Sequence, residues 1–248
     1  MRMYDIERRE KILEILKKEK SCSVSELSKK LNYSEATIRR DLNILDKELK
    51  VRKTFGGAVI FDTYNSEVPI TLRRNENAEI KKKLCQSAAK LIKNNMTIFL
   101  AASTTTEYLV PYLKLYNNLT IITNSPDVPK MLSDTNITVY STGGKFLHHS
   151  NSYVGEFARN MIRGINADIM FFSARGISLD GRVTVSSTED DIHKIMMQNS
   201  SKTFLLVDST KFDKVFPFTV CNVNDVSTLI TDKNPPSILK NDNITICD

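Results

Sequence analysis

The 248-residue sequence lacks any run approaching the ~18 consecutive apolar residues that a membrane-spanning helix needs. Its first residues, MRMYDIERREK, also lack the apolar core of a secretory signal peptide. Both absences argue against a membrane protein and against a secreted one. We therefore predict a cytoplasmic protein with no membrane partner.

Cysteine is scarce and scattered. The sequence has four cysteines with no CxxC pair among them: Cys22, Cys85, Cys221 and Cys247. Their spacing fits neither a disulfide framework nor a zinc site. We interpret them as reduced thiols with structural roles.

Signatures of metal and nucleotide sites are also missing. His148 and His149 are adjacent in a predicted loop and His193 stands alone in a predicted helix, so all three are interpreted as surface residues rather than metal ligands. The sequence has no Walker-type or GxGxxG loop, which argues against a nucleotide cofactor. We predict no metal and no cofactor.

Positive charge is concentrated at the start of the chain. The formal net charge is +6, and residues 1–57 hold 15 Lys and Arg against 10 Asp and Glu, a net of +5. The remaining residues are close to neutral. A small basic part joined to a neutral larger part suggests that the small part binds a polyanion, although solvated lysine-rich surfaces give the same count.

Three short helices are predicted within the first 45 residues. The first, from about 5 to 18, has an apolar stripe, and the second is short and is given Ser25 as its cap. The tripeptide NYS then forms a tight turn to a third helix with Ser34 as N-cap. A short helix, a tight turn and a second helix form the helix-turn-helix pattern of DNA-binding proteins.

The outward face of the third helix fits the major groove of DNA. At ~100° per residue, Ile38, Leu42 and Leu45 lie on the inner face. Small residues start the outer face and long basic residues follow, an order that suits base edges and phosphates. The helix dipole is the better explanation of Glu35, which can also accept from cytosine. A solvated surface is the alternative for this arc. The predicted DNA-binding residues of the two helices are Ser25, Ser34, Glu35, Ala36, Thr37, Arg39, Arg40, Asn43 and Lys47.

The segment DKELKVRKTFGGA, which follows the third helix, predicts a small β-hairpin closed by Gly56 and Gly57. Its basic residues Lys50, Arg52 and Lys53 suit the phosphate backbone, and Arg52 and Lys53 are included among the DNA-binding residues. Residues 1–57 are therefore predicted to be a winged helix-turn-helix domain.

Residues 58–75 show no clear period and are predicted to be a linker. A helix follows from about 76 to 93, with Ile80, Leu84, Ala88 and Leu91 on one face. The run Lys81–Lys83 within it is interpreted as a solvated surface.

From residue 97 onward, continuous apolar strands alternate with helical stretches, which predicts a mostly parallel sheet covered on both faces. The predicted strands are 97–101, 119–123, 137–141, 168–172, 203–207, 228–231 and 244–247. The helices are predicted near 105–114, 126–133, 154–163 and 187–199. Residues 76–248 are thus predicted to form a second, α/β domain.

Ligands of such sheets bind beyond the carboxyl ends of the strands. The loops at those ends contain hydroxyls, glycines and a few cations: Ser103 to Thr106, Asn124 and Ser125, Gly143 to Lys145, and Ser173 to Gly176. Hydroxyls at a helix N-terminus suit an anion such as phosphate, and helix caps and turns are the alternative role for such residues.

The runs TIRRDL and VRKTFGGA resemble the N-terminal signature of the DeoR family of bacterial transcriptional regulators. Leu49 and Phe55 depart from the glycine and histidine common in the family. The order IFLAASTTT, TNS, GG, VGEFA, ARGIS, HKIM, LLVDSTKF and LITD resembles the family's sensor domain, which is similar in fold to sugar-phosphate isomerases.

The resemblance implies a phosphorylated sugar as effector, with Ser103, Thr104 and Thr105 around its phosphate. Ala101, Ser103, Ser173 and Arg175 depart from the Asp, Gly, Gly and Asp or Asn that the family often has, and an arginine in place of an acid alters the preferred effector charge. With the loop residues, the predicted effector-binding set is Ser103, Thr104, Thr105, Asn124, Gly144, Lys145, Arg175, Gly176, Lys194, Asp208 and Lys211.

We therefore predict a DNA-binding regulator, not an enzyme, that acts as a homodimer or homotetramer on double-stranded operator DNA. The resemblance favours a repressor of sugar-metabolism genes over an activator. The alternative is a sugar-phosphate isomerase with an accessory DNA-binding domain, which needs a carboxylate base. The available carboxylates are Asp180, Glu189, Asp190 and Asp208, and for Asp208 a structural role and ligand contact are equally consistent with the sequence.

Overall fold

The computed structural model describes residues 5–19, 21–48, 50–53, 56–60, 70–186, 191–236 and 243–247. The chain divides into two compact units, Met1–Val68 and Pro69–Asp248. The first contains the predicted helix-turn-helix and the second the predicted parallel sheet. Each is described by itself.

Three helices build the first unit: α1 (Asp5–Glu19), α2 (Val24–Leu31) and α3 (Glu35–Lys47). The cap of α2 is Ser23 and not Ser25, because Ser23 and Glu26 have the spacing of a capping box. The Ser23 Oγ accepts from the Glu26 N–H at 3.1 Å, and the Glu26 carboxylate accepts from the Ser23 N–H at 2.9 Å. Ser34 caps α3, as predicted.

A three-stranded antiparallel sheet completes the first unit, in the order β1 (Ser21–Ser23), β3 (Gly57–Ile60), β2 (Val51–Lys53). The hairpin of β2 and β3 is the predicted wing, whereas β1 was not predicted because three residues between two helices show no period. Gly57 lies so close to β1 that a Cβ there would stand 2.3 Å from the Cys22 carbonyl oxygen. Leu49, Thr54 and Phe55 lie outside the described residues.

Among the described residues of the first unit, the core is apolar apart from the buried Arg8 and Asp41. Ile38, Leu42 and Leu45 of α3 are buried, as the helical period predicts. Beside them, Arg8 of α1 and Asp41 of α3 are also buried, with Nε–Oδ2 and Nη2–Oδ1 distances of 2.5 and 3.0 Å. Hydrogen bonding to Asp41 raises the pKa of Arg8, even though burial alone would lower it. The pair therefore ties α3 to α1.

Seven parallel strands form the centre of the second unit, in the order β15-β14-β12-β9-β4-β5-β6. Their bounds are β4 (Thr97–Leu100), β5 (Thr120–Thr123), β6 (Thr138–Ser141), β9 (Ala167–Phe172), β12 (Ser200–Leu206), β14 (Thr228–Thr231) and β15 (Ile244–Ile246). Every pairing within this sheet is parallel. The predicted fold class is confirmed.

Helices cover both faces of the sheet, as its continuous apolar strands predict. One core includes side chains of α5 (Ala78–Ala89), α6 (Val110–Leu113) and α7 (Asp127–Met131), and the other those of α8 (Glu156–Arg163) and α9 (Ile192–Gln198). The helix predicted for 76–93 ends earlier, at Ala89. Leu91 lies beyond its end and is exposed.

Short strands outside the main sheet were not predicted, because their two to five residues give too little alternation. They form the hairpin of β7 (Lys145–Leu147) and β8 (Ser152–Val154), and a sheet of β10 (Gly176–Ile177), β11 (Arg182–Val185) and β13 (Phe218–Asn222). Together they extend loops that follow the main strands.

Regular structure extends into both ends of the segment predicted as a linker, 58–75. Residues 58–60 belong to β3, and a short helix, α4 (Ile70–Asn75), begins the second unit. Neither is long enough to show a period in the sequence. Residues 61–69 lie outside the described residues. In the described parts of the chain, no helix has the length and apolar character needed to cross a membrane.

The substitution Asp41→Ala removes the buried carboxylate partner of Arg8 and leaves only the exposed Asp5, 2.9 Å from its Nη2, so we expect it to destabilise the first unit by ~3 kcal/mol. Glu35→Gln is the control, since it removes an exposed partner of Arg39 and is expected to cost ~1 kcal/mol or less. Native-state hydrogen exchange of α1 and α3 peptides in the full chain measures the two effects. Equal exchange in both variants would contradict a structural role for the buried pair.

Candidate functional site

The outer face of α3 is the surface predicted to meet DNA. Ser34 holds its first turn, with its Oγ accepting from the Thr37 N–H at 3.2 Å. Thr37 is half-buried, and the rest of the predicted arc is exposed: Glu35, Ala36, Arg39, Arg40, Asn43 and Lys47. Ser25 lies exposed in the first turn of α2. Small side chains near the start of α3 and long cations after it form the order expected of a recognition helix.

The wing is attached to this helix. The Lys53 Nζ donates to Oδ1 of Asn43, and the Lys53 N–H donates to Oδ1 of Asp46 at 2.9 Å. Arg52 lies in the same strand, opposite Val59. Arg39 pairs with Glu35 at 3.3 Å on the exposed surface. Lys53 therefore lies beside the outer face of α3.

A second candidate site lies at the topological switch point of the parallel sheet. The chain adds β5 and β6 on one side of β4 and returns to add β9 on the other, so the loops after β4 and β9 diverge around a crevice. The Ser173 hydroxyl after β9 donates to the Thr105 hydroxyl after β4 at 3.4 Å. Two of the predicted loops thus meet here.

The loop after β4, residues 101–106, is fixed by its own hydroxyls. The Ser103 Oγ accepts from the Thr106 N–H at 2.9 Å, and the Thr106 hydroxyl donates to the Ala101 carbonyl at 2.7 Å. A 3-10 turn, Thr106–Leu109, follows directly and continues into α6. The loop is therefore a preorganised turn at the start of a helical segment, which is suited to an anion.

Asn124, predicted to contact the effector, also connects two loops of the second unit. Its Oδ1 accepts from the Ala102 N–H at 2.8 Å, and its Nδ2 donates to the Tyr153 carbonyl at 3.2 Å. The side chain is buried. It connects the loop after β4 with β8, so it positions the crevice, and both ends of its amide have protein partners.

Cations surround the crevice, and one of them was misassigned from the sequence. Lys81, interpreted there as solvated, is only 4% exposed. Its Nζ donates to the Thr104 Oγ1 at 3.2 Å and to the carbonyl oxygen of Arg73. Burial, followed by the charge of Lys211, lowers the pKa of Lys81 to about 8. Lys82 and Lys83 are exposed, as predicted.

Lys211 and Arg175 add to this positive field. Burial lowers the pKa of Lys211, and the charges of Lys214 and Arg175 act in the same direction. The Arg175 guanidinium also lies over the Phe216 ring, 5.5 Å from its centroid. Cations that lower one another's pKa values favour a bound anion.

Asp208 lies among these cations and is buried. Its Oδ1 accepts from the Thr210 N–H at 3.1 Å and from Nδ2 of Asn77 at 3.3 Å, while the Thr210 hydroxyl also donates to it. The carboxylate therefore caps the 3-10 turn Ser209–Lys211 and raises the pKa values of Lys81 and Lys211 through its charge. It orders the cationic site.

Four further residues belong to the predicted effector-binding set: Gly144, Gly176, Lys145 and Lys194. Gly144 has φ of 109°, and a Cβ there would stand 2.6 Å from the Val154 carbonyl oxygen, so glycine is required at this turn. Gly176 similarly allows the Lys214 carbonyl to approach. Lys145 is exposed in β7. Lys194 is exposed on α9, where its charge acts on the Cys221 thiol.

The histidines and cysteines take structural positions. His193, predicted to lie on the surface, is buried, and its ring centroid lies 5.9 Å from that of Phe172. The four cysteines are free thiols, and burial raises the pKa of Cys85, whose Sγ donates to the Thr105 carbonyl at 3.1 Å. Across the described ranges, His, Cys, Asp and Glu form no cluster able to hold a metal ion.

Sequence reasoning missed Lys81, although a signal for it was present. Lys81, Leu84, Cys85 and Ala88 are spaced i, i+3, i+4 and i+7, the pattern of one helix face. Since Leu84 and Ala88 were predicted to be buried, Lys81 is expected to lie on the same buried face of the helix.

A winged helix-turn-helix followed by a parallel-sheet domain with a cationic crevice defines a DNA-binding regulator with a ligand-sensing domain. The DeoR-like helix-turn-helix domain matches residues 8–64, and the DeoR C terminal sensor domain matches residues 76–233. The chain belongs to the DeoR family of transcriptional regulators.

Relatives cover nearly the whole chain. The uncharacterized HTH-type transcriptional regulator YulB of Bacillus subtilis (strain 168) is 36% identical over 240 residues, 95% of this chain and 93% of the relative. The lactose phosphotransferase system repressor of Staphylococcus aureus (strain N315) is 29% identical, with 91% of each chain covered. Ribose 5-phosphate isomerase A from Methanocaldococcus jannaschii shares 55% of each chain at 18% identity, with a TM-score of 0.40.

Arg40→Ala is expected to weaken binding to DNA from upstream of the protein's own gene by roughly tenfold to a hundredfold, because this exposed arginine is predicted to contact bases or phosphates. Arg163→Ala removes the same charge from an exposed position in the second unit and is the matched control. Fluorescence anisotropy with specific and scrambled DNA measures both. Unchanged affinity in Arg40→Ala would contradict the assignment of the α3 outer face.

The side chain of Lys81 is expected to titrate near pH 8, whereas Lys82, whose pKa is raised by its hydrogen bond to Glu79, titrates above the ordinary lysine value. Because the pKa of Lys81 is lower in the folded chain than its ordinary 10.5, the folded state loses this proton first, and the free energy of unfolding rises with pH between about 8 and 10.5.

Lysine side-chain NMR of the full chain measures this titration. The resonance that titrates near pH 8 is expected to vanish in Lys81→Met and to persist in Lys82→Met. If every lysine titrated at or above the ordinary value, the burial of the Lys81 ammonium would be contradicted.

Proposed function

We propose that this protein is a repressor of genes for sugar uptake or use, and that a phosphorylated sugar bound in the crevice of the second unit controls its affinity for operator DNA. The observation that carries the proposal is the set of cations around the loop after β4, within a domain of the DeoR sensor family. The name of the S. aureus relative, a repressor of a sugar system, supports the same direction.

The DNA half of the proposal rests on α3 and the wing. Arg39, Arg40, Asn43 and Lys47 are exposed on one arc of α3, and Lys53 lies beside that arc through its contact with Asn43. We assign α3 to the major groove, with its small residues Ala36 and Thr37 toward base edges and the wing cations toward phosphates. Such a regulator acts where the DNA is, in the cytoplasm.

The sensor half rests on charge and geometry. Thr104 and Thr105 are buried at the switch point, and the ammonium of Lys81 lies within hydrogen-bond distance of the Thr104 hydroxyl. A phosphate group at this loop gains hydroxyl and ammonium donors at once, which are the charge-assisted contacts that bind phosphate strongly. The other end of the sugar then faces Arg175 and Lys211.

The assembly proposed is a homodimer or homotetramer, whose paired first units contact half-sites about one or more helical turns apart. If the sugar phosphate lowers operator affinity by a given factor, operator DNA lowers sugar-phosphate affinity by the same factor. The family points to a regulator rather than an enzyme. Asp208, a carboxylate beside the crevice, already accepts hydrogen bonds from Asn77 and Thr210.

The proposal predicts that one member of a panel of sugar phosphates will release the protein from DNA upstream of its own gene, measured by fluorescence anisotropy. Thr104→Ala is expected to bind that DNA with unchanged affinity and to need at least about tenfold more sugar phosphate for release, since it loses a hydroxyl donor. Thr138→Ala, at the opposite edge of the sheet, is the control.

Two results would overturn the proposal. Sequence-blind, salt-sensitive binding that no sugar phosphate changes would remove both halves of the function. Turnover of a sugar phosphate, followed by NMR of the sugar, would instead identify the isomerase that the regulator assignment excludes.

A further inference from the structure

Helix α4, the first described element after residues 61–69, is held in the second unit by contacts with the 3-10 turn Thr106–Leu109, with α7 and with the turn at His149. Arg74 pairs with Glu107 at 2.8 Å and also with Asp127, and the Tyr108 hydroxyl donates to the Arg74 carbonyl at 3.0 Å. The Arg73 guanidinium donates to the His149 carbonyl at 2.7 Å. A helix of six residues is too short to be stable alone, so these contacts determine its position.

One further contact of α4 differs from the others, because its donor, Lys81, also contacts the loop after β4. The ammonium of Lys81 donates to the Arg73 carbonyl on one side and to the Thr104 hydroxyl on the other. The ammonium group of Lys81 thus connects α4 with the loop after β4.

The partners of this ammonium are weak for a buried charge. Both are neutral oxygens, and the charges of the carboxylates Asp208 and Glu76 act on it against those of the cations Lys211 and Arg73. A phosphate dianion offers charge-assisted hydrogen bonds roughly twice as strong as neutral ones. An anion bonded to the Thr104 hydroxyl would therefore compete for the ammonium with the Arg73 carbonyl.

We propose that Lys81 exchanges the carbonyl of Arg73 for the phosphate of a ligand bound at the loop after β4, so that ligand binding loosens α4. The proposal rests on the function proposed above, because it takes this loop as the phosphate site. The Arg73 carbonyl loses a donor when the ammonium turns toward the anion. The change is delivered to the helix that follows residues 61–69, the segment that leads from the first unit.

The mechanism also sets a requirement on the ligand. A neutral sugar offers only hydroxyls, which compete poorly with a carbonyl oxygen for an ammonium, whereas a phosphate group supplies the charge. A phosphorylated sugar is thus able to act on α4, and its unphosphorylated counterpart is not, even where its hydroxyls fit the crevice.

The test is hydrogen exchange, followed by mass spectrometry, of peptides covering 70–80 in the full chain, with inorganic phosphate against chloride at equal ionic strength. In the wild type, phosphate is expected to speed the exchange of α4 amides several-fold and to slow exchange at 101–106. In Lys81→Met, α4 is expected to exchange fast from the start and to show no response to phosphate. Lys82→Met, in which the neighbouring exposed lysine loses its ion pair with Glu79, is expected to behave as the wild type.

Lys81→Gln is the second variant, in case loss of the polar group disturbs folding. It keeps a donor for the Arg73 carbonyl but has no charge, so slow exchange of α4 and no response to phosphate are expected. An unchanged α4 response in Lys81→Met would overturn the proposal. So would a wild type in which phosphate leaves α4 exchange unaltered.

DNA binding separates this proposal from the proposed function. If phosphate acts on α4 through Lys81 but no sugar phosphate changes affinity for DNA, the proposed function is wrong and the link stands. If a sugar phosphate releases DNA equally from the wild type and from Lys81→Met, the function stands and the link is wrong.

Discussion

The parallel direction of seven strands is the constraint on which the second unit depends. The carboxyl ends of all seven strands therefore lie at one edge of the sheet. The chain adds β5 and β6 on one side of β4 and β9 on the other, and this reversal of strand order opens a crevice at that edge. Loops from distant parts of the sequence meet there, as the hydrogen bond between Ser173 and Thr105 shows. The strand order therefore determines which residues can form a site, because the residues after β4 and β9 become neighbours whatever their identity.

Buried cations in the crevice lower the stability of the folded state and favour the binding of an anion. A lysine buried beside other cations is less stable in its charged form than in water, and burial together with the charge of Lys211 lowers the pKa of Lys81 for this reason. Replacing it with an apolar residue would relieve the penalty in the absence of a ligand. The anionic ligand proposed above would compensate this charge, which is the usual compromise of functional sites.

The sequence was informative where a period or a fold rule applied. The three helices of the first unit, the wing and all seven parallel strands were predicted, because apolar spacing specifies them. The loops that follow the parallel strands begin at one edge of the sheet, as the rule for parallel sheets predicts. Three features that depend on single contacts were not predicted: the cap at Ser23, the strand β1, and the buried pair of Arg8 and Asp41. Charged residues are read as exposed by default, and burial of Lys81 and Asp41 depends on partners remote in sequence.

The buried pair between α1 and α3 has a consequence for how such proteins diversify. Asp41 lies on the inner face of α3, so the contact that holds α3 against α1 does not involve the side chains of the outer arc. Those outer positions can be randomised in a library, and new operator preferences selected, while the scaffold stays intact. The same division lets a duplicated gene acquire a different set of targets through a few substitutions on one helical face.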